Sequence, residues 1–94
     1  MENSIDTRQL LVDLETSFET FAGAAPVRDV VLAGLRYPMG DYWTSLALTW
    51  LEQGAALDRE IVERLSDVAS ASRQYGQRTR HRASRLAKCW NLQH

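Results

Sequence analysis

His81 and Cys89 are the side chains best suited to covalent or acid–base chemistry in this 94-residue chain. A thiol activated by an imidazole needs the two groups within hydrogen-bonding reach. Eight positions on one predicted helix separate them by a rise of about 12 Å, too far for such a pair. Cys89 then reads as a small packing residue. As the only cysteine it permits neither an intrachain disulfide nor a four-cysteine metal site. Glu60, Glu63 and Asp67 recur at intervals of three and four, the spacing of an exposed helix face rather than of a proton-transfer pair. The sequence contains no glycine-rich phosphate loop, paired metal motif or nucleophile elbow. The expectation is a protein without enzymatic activity, metal or cofactor.

Charge is the stronger signal. Residues 1–72 hold all twelve acids against five arginines, a net −7. Residues 73–94 hold Arg73, Arg78, Arg80, Arg82, Arg85 and Lys88 with no acid, a net +6. On a helical wheel Arg78, His81, Arg82 and Arg85 share one face, with Arg80 and Lys88 to its sides. Such a face suits phosphates or an acidic protein surface, through charge steering and the guanidinium fork. It equally suits packing against the chain's own acidic body, and basic residues near the C-terminal end of a helix complement its dipole. A pI near 6.1 is well below that of a dedicated nucleic-acid binder.

The second candidate surface is aromatic. Tyr37, Met39 and Tyr42 flank a loop, where a large apolar side chain with a polar tip suits a partner interface. Trp43 and Trp50, seven residues apart on one helix face, read as core.

The elements that must position these residues are helical throughout. The apolar spacing predicts a first helix over about 6–21, with Asp6 and Gln9 as a capping box and Gly23 as its stop. A shorter helix follows over 27–35 behind Pro26, although the β-branched run at 30–32 also admits a short strand. Residues 37–40 form a loop. Asp41 should cap a third helix over 42–53, stopped by Gly54, with Thr44, Ser45, Thr49 and Glu52 on its polar face. Asp58 should cap a fourth over 59–72, with Ile61, Leu65, Val68 and Ser72 as its seam. Arg59 with Glu63, and Glu60 with Arg64, are spaced for exposed ion pairs on it. The fifth, over 77–90, should bury Thr79, Ala83, Leu86, Ala87 and Trp90.

These expectations define an all-α single domain over 1–94, a small bundle of four to five helices, with stacked helical hairpins as the alternative architecture. No apolar run approaches the length of a membrane span. The N-terminal stretch lacks the layout of a secretion signal, and Met1 reads as the start of a complete small cytoplasmic protein. The favoured function is a protein–protein interaction module: a small adaptor, inhibitor, immunity-type protein or assembly partner. The alternative is a nucleic-acid-associated regulator using the last helix. A homo-oligomer joining the basic helix to Asp13, Glu15 and Glu19 of a second copy is a third reading. The partner-binding candidates are Tyr37, Met39, Tyr42, Arg78, His81, Arg82 and Arg85.

Overall fold

Leu10, Leu11 and Leu14 supply the buried stripe of the first helix, α1 (Thr7–Asp13). The computed structural model describes residues 7–21, 26–37 and 41–93, so the predicted cap Asp6 and stop Gly23 lie outside the described residues. α1 ends well short of the predicted Phe21. Its last turn tightens through bonds from the Leu14, Glu15 and Thr16 amides to residues three positions back. Ser17 then opens a single 3-10 turn over Phe18–Thr20, its Oγ accepting from the Glu19 amide at 3.3 Å. The cause is tertiary. Trp50 Nε1 donates to the Thr16 carbonyl at 2.9 Å, and Phe18 and Phe21 pack on the same indole at 5.6 and 5.0 Å between ring centroids. A continuing helix would aim that carbonyl along its own axis instead.

α2 (Val27–Arg36) begins after Pro26, whose missing amide is no loss at a helix start. Val30, Val31 and Leu32 are all buried in it, so the β-branched run is helical where tertiary packing decides. α3 (Tyr42–Glu52) carries Ala47, Leu48, Trp50 and Leu51 into the core. Thr44, expected on its polar face, is completely buried, with its hydroxyl donating to the Gly34 carbonyl at 2.9 Å. This contact belongs to a close approach of α2 and α3. A Cβ on Gly34 would lie 2.6 Å from Leu14 Cδ1 and 2.9 Å from both Ala47 Cβ and the Trp43 carbonyl.

Gly54 stops α3 as predicted. At φ +120° it occupies a region that side chains avoid, and the Gly54 and Ala55 amides bond back to the Leu51 and Trp50 carbonyls. That pair of bonds is a Schellman closure. α4 (Arg59–Ser70) starts at its predicted cap, with Asp58 Oδ1 accepting from the Ile61 amide at 2.9 Å. It ends short of Ser72, which is exposed in the following turn. α5 (Gln77–Gln93) buries Thr79, Ala83 and Ala87 and half-buries Leu86 and Trp90.

Asp41 caps a different helix from the one predicted. Its backbone is already helical, at φ −87° and ψ −20°, and its side chain makes no bond to the start of α3. Asp41 Oδ2 instead accepts from the Gly76 amide and the Thr79 hydroxyl, both at 3.0 Å, and so closes the start of α5. α5 packs chiefly on α4 and also on α3, while α2 contacts α1, α3 and α4. No strand occurs among the described residues, and no helix among them is long and apolar enough to cross a membrane. The chain is a small all-α bundle.

Candidate functional site

The two expected surfaces fare differently. Tyr37 is half-buried against the core, Met39 lies outside the described residues, and Tyr42 is 57% exposed. Tyr42 stands edge-on to Trp43 at 4.8 Å between centroids, and its hydroxyl donates to Glu15 Oε2 at 2.7 Å. That bond, before any desolvation, raises the phenol above its ordinary value. Tyr42 therefore ties α3 to the turn that follows α1.

The basic surface is assembled, with one member exchanged. Arg78, His81 and Arg85 are exposed on the outer side of α5. Arg82 turns inward and keeps only 19% of its side chain exposed. It grips Glu52 with two bonds, Nε to Oε2 at 3.0 Å and Nη2 to Oε1 at 2.8 Å. It also donates to the Ser45 and Thr49 hydroxyls at 2.9 Å each. The polar face predicted for α3 is thus the receptor for one arginine of α5. Ser45 is accordingly a partner of Arg82 rather than a bystander at the surface. Arg80, half-buried, donates to the Tyr75 carbonyl at 3.3 Å.

Lys88, predicted to lie beside the face, belongs to it. Together with His81, Ser84, Arg85, Cys89 and Leu92 it lines one shallow surface on the outside of α5. Cys89 is exposed there, contrary to the expected packing role. Leu92 is 87% exposed. At 100° per residue Leu92 falls between His81 and Arg85, a placement available from the sequence once α5 is extended past residue 90.

Several charges elsewhere answer one another. Arg28 Nε donates to Asp58 Oδ2 at 2.8 Å, and Arg28 and Arg36 both pair with Glu60, linking α2 to α4. The bond from Arg28 holds the Asp58 carboxyl below the usual carboxylate range, with the Ile61 amide adding to the effect. Arg28 likewise holds Glu60 down. Glu60 is therefore not spent on Arg64, which lies 3.7 Å from Asp67 instead, and Arg59 makes no ion pair with Glu63. Among the described residues no ion pair reaches Arg78, Arg85 or Lys88. A chain with net charge −1 thus presents a cationic ridge along one helix that no ion pair among the described residues compensates.

No cluster of three or more His, Cys, Asp or Glu side chains that could hold a metal occurs among the described residues. Every buried side-chain nitrogen and oxygen among them has a hydrogen-bond partner. An open groove of about 530 Å³ runs between α4 and α5, lined by Val62, Glu63, Asp67 and Trp90 among others. The chain matches no protein-family model, and it has no significant match among curated proteins or solved structures.

Proposed function

We propose that this protein is a non-enzymatic protein-interaction module that docks an anionic partner surface on the outer side of α5. One observation carries the reading: Arg78, Arg85 and Lys88 stand exposed together on one helix face with no carboxylate partner among the described residues, whereas Arg28, Arg36 and Arg82 are each held by one. Cations left in water contribute little to folding, so their concentration on one face favours a partner. A cytoplasmic setting belongs to the same reading, because Cys89 is an exposed thiol on that face and such thiols persist under reducing conditions. Adaptors, inhibitors and assembly partners all work through a surface of this kind.

Affinity capture from the native host tests the proposal, with the wild type beside the Arg78→Gln/Arg85→Gln/Lys88→Gln variant and nuclease present. A protein retained by the wild type and lost by the variant supports it. Recovery of nucleic acid alone, dependent on the same three cations, replaces it with the nucleic-acid reading. Sedimentation at low and high salt separates a second copy of this chain from a foreign partner, because contacts between exposed charges weaken as the screening length shrinks.

A further inference from the structure

The exposed residues of α5 have a spacing that goes beyond charge. Arg78, His81, Arg85, Lys88 and Leu92 follow one another at alternating intervals of three and four. This is the interval that keeps successive side chains in line along a seam between two helices. The seam spans about 21 Å, or two heptads. Arg78, Arg85 and Lys88 in it are cationic, and its last member is an apolar side chain 87% exposed to water. We propose that this seam seats an acidic α-helix of a partner protein, with carboxylates opposite the basic positions and an apolar residue over Leu92. The proposal rests on the reading of α5 as a docking face and adds the shape and chemistry of what docks.

Charge complementarity calls for an anion, and the exposed leucine at the end of the seam favours a helix over a nucleic acid. Leu92 extends the seam by a turn with a side chain that offers a phosphate no donor, whereas an apolar partner residue over it would remove it from water. A partner helix at the left-handed crossing typical of bundles touches its neighbour once per turn, the recurrence of these five residues.

Fluorescence anisotropy at about 0.15 M salt provides the test. The probes are a helical peptide with glutamates at three-four spacing and one terminal leucine, a scrambled peptide of equal composition, and a short DNA duplex. The helical peptide should bind at least about tenfold more tightly than the scrambled one, and Leu92→Gln should weaken it by about tenfold. Arg78→Gln/Arg85→Gln/Lys88→Gln should abolish its binding. Equal binding of the two peptides, tighter binding of the duplex, or indifference to Leu92→Gln overturns the helix-docking proposal. If that weaker or broader binding still needs the three cations, the anionic docking face survives. Binding of no anionic probe overturns both.

Discussion

Around α3, each polar side chain directed at the rest of the protein meets an answering group. Thr44 donates to Gly34, Trp50 donates to Thr16, and Ser45, Thr49 and Glu52 together receive Arg82. Along the outer side of α5 the residues are as polar, yet Arg78, Arg85 and Lys88 meet no carboxylate among the described residues. The two helices touch, and Arg82 belongs to both. Residue type alone therefore does not separate a structural arginine from an available one. The separation depends on which way one position of a helical wheel faces, and a shift of about 100° from one residue to the next decides it.

The sharpest test of the α3 side is Trp50→Ala. It removes the largest fully buried side chain, the support for Phe18 and Phe21 and the bond to Thr16. A loss of roughly 3–5 kcal/mol is expected in a urea melt, against less than about 0.5 kcal/mol for Leu92→Ala on the outer face. Gly34→Ala should follow, at about 1–3 kcal/mol, because the new methyl group meets Leu14, Ala47 and the Trp43 carbonyl. The same melts on Arg82→Ala and Arg85→Ala compare two arginines three residues apart. Arg82 should cost about 1–2 kcal/mol for its lost charge-assisted bonds, and Arg85 less than about 0.5 kcal/mol. Equal losses would erase the distinction between the two sides of α5.

The α2–α4 link adds a pH dependence. Asp58 and Glu60 are held below the ordinary carboxylate range by Arg28. Groups whose folded-state value is depressed contribute stability above their unfolded value, and lose it as pH falls through the folded one. Thermal stability should therefore decline below about pH 4, and Arg28→Gln should flatten part of that decline. A decline of the same size in both proteins would separate the link from acid sensitivity.

Most of the helices were legible because apolar residues recur at helical spacing, and local caps with local partners were legible too: Asp58 reaches three residues along the chain, and Gly54 closes its own helix. What escaped depended on partners distant in sequence. Asp41 closes α5 from 35 residues away, and Trp50 ends the α1 segment from 34. Thr44 reads as a polar-face residue until the Gly34 carbonyl lies against it. At the candidate site, Arg78, His81 and Arg85 were legible as one exposed face. Arg82 was not separable from them without Glu52, Cys89 reads as a packing residue because thiols are usually buried, and Leu92 lies beyond the predicted end of the helix at 90.

If the cations on the outer side of α5 stand free for a partner, they contribute next to nothing to the fold. A denaturant melt of Arg78→Gln/Arg85→Gln/Lys88→Gln beside the wild type measures this most directly. The two stabilities should lie within about 0.5 kcal/mol of each other, with the variant slightly ahead at low salt, where like charges along one helix repel. A loss above about 1.5 kcal/mol would contradict this, since those side chains would then be holding the bundle together rather than standing ready for a partner.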